Sequence, residues 1–76
     1  MLFGICLLSI VPMRDEPQDT SELVSQVLYG ESFKIIEQRS KWSLIKLSFD
    51  GYKGWIDNKQ LVKIDKSTYE SIISKK

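Results

Sequence analysis

The dipeptide Asp50-Gly51 constrains the fold of this chain more than any other feature of its sequence. It follows a run in which Ile45, Leu47 and Phe49 alternate with mostly polar residues, and it precedes a second run of β-forming residues. Glycine adopts the positive φ that a tight turn requires, so Asp-Gly between two such runs is a strong hairpin signal. The sequence therefore predicts an antiparallel hairpin that turns at these two residues.

Other short runs surround this hairpin. The nearly continuous apolar run 5–11 predicts one strand that ends at Pro12, because proline cannot donate to a ladder. Residues 32–37 and 61–64 predict two further strands, and residues 57–60 suit a single helical turn. The charged, proline-bracketed stretch that follows Pro12 is expected to be an exposed loop.

Segment 23–28 is ambiguous. Its four apolar residues recur at helical spacing behind Thr20 and Ser21, which are good cap residues, so periodicity alone favours a short helix. The alternative is a strand with Val24 and Leu28 on one face.

The end of the chain predicts a short helix. Ser67 and Glu70 have the spacing of a capping box, and Tyr69, Ile72 and Ile73 form an apolar face. An apolar face in this position suggests that a further element packs on it.

Length and composition fix the fold class. A chain of 76 residues holds one core, and 42% hydrophobic with 28% charged residues is the composition of a globular domain. About five or six short strands with little helix predict an all-β fold, a small and strongly bent barrel.

Composition also restricts function. The sequence contains no histidine, which removes the Ser-His, Cys-His and His-metal arrangements. We therefore expect no autonomous enzyme, no metal site and no cofactor. The net charge of +1 is too close to balance to drive binding to nucleic acid or to an acidic membrane. The expected class is a small binding or structural module.

Cysteine usage bears on the compartment. The lone Cys6 cannot form an intramolecular disulfide, which favours a cytoplasmic location, and its apolar sequence neighbours predict core packing rather than a reactive thiol. The apolar stretch 2–11 lacks a preceding basic residue and a following cleavage site, so we interpret it as a strand rather than a signal peptide. Prior removal of a signal peptide would instead place the protein in the periplasm.

Two stretches resemble a known family. Residues 51–57 (GYKGWID) resemble the closing hairpin of bacterial SH3-like (SH3b) domains, G-x-x-G-W-[IV], after a strand that begins with Trp42. Residues 4–17 and 21–31 resemble the amino-terminal SH3b domain of NlpC-type cell-wall peptidases of the Bacteroides group. Those enzymes act as dipeptidyl-peptidase VI, or γ-D-glutamyl-L-diamino acid endopeptidases. The resemblance covers residues 4–64.

The resemblance implies a fold and a role. It implies an SH3-like barrel over residues 1–64, in which segment 21–28 is a strand, and a helical linker over residues 65–76 toward a missing catalytic domain. The family's catalytic Cys and His belong to that downstream domain, so peptidase activity does not carry over. The implied role is to restrict or target peptidoglycan stem peptides, and the implied partners are the chain's own downstream peptidase domain and that muropeptide.

The resemblance also suggests ligand or domain-interface residues: Arg14, Glu16, Trp42, Tyr52 and Trp55. Trp42 offers a ring for stacking or merely covers the barrel end, and Trp55 suits a core or domain contact better than a ligand contact. Arg14 suits a stem-peptide carboxylate or a surface ion pair with Asp15, Glu16 or Glu22.

Two other functions compete with this one. A proline-rich peptide ligand needs an aromatic-lined groove, but the first loop has no tyrosine, and Asp57 stands where the eukaryotic SH3 pattern carries proline. The other is a purely structural or oligomerisation module without ligand contact.

Overall fold

The computed structural model describes residues 2–18 and 20–74. Within them, seven strands form one antiparallel sheet in the order β3-β2-β6-β5-β4-β1-β7. The predicted all-β class with a short C-terminal helix is confirmed. The elements are β1 (Leu2–Ile5), β2 (Ile10–Arg14), β3 (Leu23–Leu28), β4 (Ser32–Gln38), β5 (Trp42–Leu47), β6 (Lys53–Asp57), a 3₁₀ turn (Asn58–Gln60), β7 (Val62–Ile64) and α1 (Lys66–Ser74).

The first apolar run forms two strands, so the prediction of one strand was wrong. β1 pairs with β4 and β7, whereas β2 pairs with β3 and β6. The chain changes partners across residues 7–9, where Leu7 and Leu8 are exposed. Cys6 is buried in the core, as predicted, and its backbone exchanges hydrogen bonds with Gly30 and Glu31.

Proline does not end β2. Pro12 lies inside the strand, opposite Gln26 of β3. The pairing between β2 and β6 that the structure describes involves only Arg14, so at Pro12 one edge of the strand has no ladder to interrupt. The prediction that the strand stops here was therefore wrong.

Segment 23–28 is strand β3, as the family resemblance implied, and the helix favoured by periodicity was wrong. Val27 is fully buried, while Leu23 and Leu28 are exposed. The apolar spacing was misleading because this strand lies at a sheet edge and buries few of its residues.

The β5–β6 hairpin turns where predicted. Gly51 has φ +75°, and the Leu47 and Tyr52 backbones close the turn with a 2.9 Å hydrogen bond. β5 ends at Leu47, however, so Phe49 does not continue the alternating face and is 78% exposed. Gly54 is a point of close approach between strands, because a Cβ built there would lie 2.9 Å from Met13 Cε.

One face of the bent sheet encloses the core. The buried cluster draws on five strands and on Cys6, and its members are Cys6, Val11, Met13, Val27, Phe33, Ile35, Ile45, Leu47 and Ile56.

Helix α1 is capped by Asp65, whose Oδ1 accepts a 2.7 Å hydrogen bond from Thr68 N. The predicted capping box was wrong, since Ser67 lies inside the helix. Tyr69 is buried against the other side of the sheet, where its ring stacks on Phe3 with 4.3 Å between centroids.

The linker role of residues 65–76 stays a prediction, and residues 75 and 76 lie outside the described part of the chain. No helix in the described ranges is long and apolar enough to cross a membrane.

Candidate functional site

The outer face of β5 and β6 carries the two tryptophans. Register pairs Trp42 with Asp57 and Leu44 with Trp55, and directly opposed residues of antiparallel strands point to the same side. The intervening Ser43 is buried on the core side. Alternation along the hairpin therefore places both rings on the surface opposite the core.

A pocket of about 270 Å³ opens beside Trp42. The Trp42 ring is half-buried. The polar tip between β4 and β5 and the 3₁₀ turn after β6 form the rest of the pocket. The lining residues are Ser40, Lys41, Trp42, Asp57, Asn58 and Lys59. We call this the Trp42 pocket.

Asn58 fixes the walls of the Trp42 pocket. Its Oδ1 accepts a 2.5 Å hydrogen bond from the Ser43 hydroxyl, and its Nδ2 donates to the Arg39 carbonyl at 2.8 Å. Its backbone N–H donates to the Lys41 carbonyl at 2.9 Å. One side chain thus joins the 3₁₀ turn to β5 and to the polar tip. No local sequence signal indicates this role of Asn58, since its partners are 15 and 19 positions away.

The polar groups of the Trp42 pocket are of both signs. Asp57 Oδ1 accepts a 2.8 Å hydrogen bond from Lys59 N, which caps the 3₁₀ turn and orients the carboxylate. The side chains of Lys41 and Lys59 bring two cations to the rim. An aromatic wall with a carboxylate and two ammonium groups suits a small peptide-like ligand that bears both charges.

Trp55 is only 8% exposed, and it lies under Arg39, whose guanidinium carbon is 4.7 Å from the ring centroid. Arg39 is fixed in turn by Glu37, with 2.6 Å between Nε and Oε2. A ring covered in this way stabilises the sheet by a cation–π contact and leaves little surface for a ligand.

Arg14 lies opposite Trp55 in the β2–β6 pairing and donates from Nη1 to the Ser21 carbonyl at 3.2 Å. The ion pair predicted as an alternative for Arg14 was wrong, because the described residues contain one ion pair, that of Arg39 with Glu37. Arg14 instead joins the end of β2 to Ser21, on the far side of the first loop, by this hydrogen bond.

Glu16 is exposed in that loop and accepts a 3.1 Å hydrogen bond from Gln18 Nε2. The Ser21 hydroxyl lies 2.9 Å from the Glu16 carbonyl and 2.8 Å from that of Gln18, which closes the loop on itself. Tyr52 is exposed at the far end of the β5–β6 hairpin from Trp42. The five predicted residues are therefore spread along the sheet, and only Arg14 and Trp55 are direct neighbours.

A second, wider groove of about 520 Å³ lies on β2 and the edge strand β3. It contains no charged side chain, and its lining residues are Ile10, Pro12, Leu23, Val24, Ser25 and Gln26. No group of His, Cys, Asp and Glu in the described ranges is arranged to hold a metal ion.

Comparison with known proteins assigns a family. Residues 13–61, more than half of the chain, match the family model described as "Bacterial dipeptidyl-peptidase Sh3 domain". No curated protein matches the chain.

Proposed function

The chain belongs to the bacterial dipeptidyl-peptidase SH3 domain family, and we propose that it restricts or targets a peptidoglycan stem peptide to an adjacent NlpC-type cysteine peptidase domain. Membership of this family makes the chain a peptidase-associated binding module of a non-catalytic type. The proposed ligand is L-Ala-γ-D-Glu-diamino acid. The proposed partner is a downstream peptidase domain of the same protein, acting in the cytoplasm on recycled wall peptides.

The Trp42 pocket carries the proposal. Its volume of about 270 Å³ suits one or two residues of a peptide. A stem peptide carries a free ammonium group and several carboxylates, which match Asp57 on one side and Lys41 and Lys59 on the other. Because the Asn58 hydrogen bonds fix these walls before any ligand arrives, little ordering cost is expected on binding.

The direct test is calorimetric titration of this chain with the tripeptide L-Ala-γ-D-Glu-diaminopimelate. Trp42→Ala should weaken binding by about two- to tenfold, the value of a lost aromatic contact. Asp57→Asn keeps a capping side chain on the 3₁₀ turn and should weaken binding about two- to fivefold through loss of the charge.

Phe49→Ala is the matched control, because Phe49 is an exposed aromatic residue at the opposite end of the hairpin. It should leave the affinity unchanged. Equal affinities for the wild type and the Trp42→Ala variant would refute the proposed site.

A structural role is the second candidate, and the uncharged groove on β2 and β3 favours it. A module that only orients its peptidase domain predicts that Trp42→Ala in the complete enzyme leaves the ranking of stem peptides unchanged. The proposed binding role predicts a changed ranking with the catalytic groups intact. A proline-rich peptide serves as a further ligand in the same titration.

A further inference from the structure

Three lysines lie side by side across the middle of the sheet. Lys34 of β4 is directly opposite Lys46 of β5, and Lys46 is directly opposite Lys53 of β6. All three are exposed. Directly opposed residues point to the same side, and strands are about 4.8 Å apart, so the three stems emerge within about 10 Å of one another. We call this set the lysine row.

Nothing in the described part of the chain neutralises the lysine row. No carboxylate oxygen there lies within 4.0 Å of its ammonium nitrogens, since the described ion pair belongs to Arg39 and Glu37. Asp50, in the adjoining turn, accepts the Tyr52 N–H. Like charges that face each other across a sheet destabilise it, so the row imposes a cost on the folded state.

We propose that the lysine row is a docking site for an acidic, extended polypeptide segment of a protein partner. The occupant follows from charge complementarity and from the shape of the surface. An extended chain places the side chains of alternate residues about 7 Å apart on one side, a spacing that flexible lysine stems reach. Leu44, half-buried on the rung beside the row, offers apolar surface to the stems of the ligand's side chains.

The same surface lacks the features of a phosphate site. Phosphate groups in proteins are typically held by helix N-termini, by backbone N–H nests or by the arginine fork. The row consists of three separate ammonium groups on regular strands, and the described residues with positive φ are Gly30 and Gly51, both in turns. Separate point charges on neighbouring strands suit several single carboxylates.

The lysine row lies at the other end of the face that carries the Trp42 pocket, with one rung between them, and its proposed role does not depend on that pocket. The probe is a fluorescein-labelled oligo-glutamate peptide, with binding to this chain followed by fluorescence anisotropy at low salt and at about 0.15 M salt. Binding is expected at low salt and should weaken as salt is added. Lys46→Gln should raise Kd by about two- to fivefold, the range for one exposed charge pair.

The matched comparison uses two double variants with equal net charge. Lys46→Gln with Lys53→Gln should raise Kd by at least about fourfold, whereas Lys63→Gln with Lys66→Gln, both exposed outside the row, should change it less than twofold. Equal losses in the two doubles would overturn the proposal, because binding would then follow net charge alone. Binding of polyphosphate without binding of oligo-glutamate would overturn it as well.

A second readout does not involve a ligand. The proposal implies that the protein keeps the destabilising repulsion among the three lysines because they bind a ligand. Lys46→Gln should therefore raise the midpoint of thermal unfolding while it weakens peptide binding. Lys63→Gln, on the edge strand β7, should not combine a higher unfolding midpoint with weaker peptide binding. A lower unfolding midpoint for Lys46→Gln would contradict the like-charge argument from which the proposal starts.

Discussion

Replacement of Asn58 by alanine tests the internal support of the Trp42 pocket. The variant removes the acceptor for the Ser43 hydroxyl, and Ser43 is fully buried. A buried hydroxyl left without a partner costs about 1–3 kcal/mol. Loss of the bond from Asn58 Nδ2 to the Arg39 carbonyl adds about 0.5–1 kcal/mol, because that contact is exposed. We expect Asn58→Ala to lower the free energy of unfolding by about 1.5–4 kcal/mol.

The Ser43→Ala variant distinguishes the loss of the Ser43–Asn58 hydrogen bond from a general disturbance of the 3₁₀ turn. Ser43→Ala leaves Asn58 Oδ1 at a half-buried position that water can reach, so its cost should be about 1 kcal/mol. In the double variant both partners are gone and no hydroxyl is left unpaired. The double should therefore be more stable than the sum of the single costs predicts, by about 1 kcal/mol or more.

Urea denaturation followed by tryptophan fluorescence measures all three variants. A 76-residue domain has a free energy of unfolding of only about 4–11 kcal/mol, so a change of this size is easily resolved. A loss below about 0.5 kcal/mol for Asn58→Ala, or additive single effects, would refute the view that Asn58 and Ser43 form one coupled unit.

Three further outcomes are expected. Gly4→Ala should destabilise by about 1–3 kcal/mol in the same assay, because its Cβ would lie 2.5 Å from Phe33 Cε1, and a rigid ring cannot yield as a flexible chain does. Gly30→Ala should cost only about 1 kcal/mol, since space is open there and only its φ of +84° is unfavourable; a larger loss than at Gly4 would contradict the steric argument. Hydrogen bonds from the side chain and backbone of Thr68 lower the pKa of Asp65 below its usual 3.8, so its stabilisation is complete above that pH and is lost as pH falls through the lowered pKa. Asp65→Asn should retain the cap and flatten this acid dependence of the unfolding midpoint, and an unchanged acid profile would exclude Asp65 as its source.

Local signals predicted the centre of the fold well. The β5–β6 hairpin depends on Asp50-Gly51 and on alternation beside it, which are all close in sequence. The division of the first apolar run could not be predicted in this way, because β1 and β2 differ in their distant pairing partners rather than in composition. Segment 23–28 was ambiguous because an edge strand with one fully buried residue, Val27, need not alternate.

The candidate site was predictable only in part. Trp42 beside a polar tip was a reasonable candidate from sequence, and it lies in a pocket. Its support by Asn58 and the cover of Trp55 by Arg39 join residues that are far apart in the chain, and the alignment of three lysines depends on the register of two strand pairs. Register decides these contacts, and a shift of one residue would send every side chain to the other face.

The position of β1 has a consequence for the order of folding. This strand lies between β4 and β7, and its pairs join Leu2 to Ile35 and Phe3 to Ile64. Such contacts close long loops and carry a high entropic cost, whereas β4, β5 and β6 pair with sequence neighbours. The β4–β5–β6 meander can therefore form early, while the ladder of β1 is complete only once β7 has also formed.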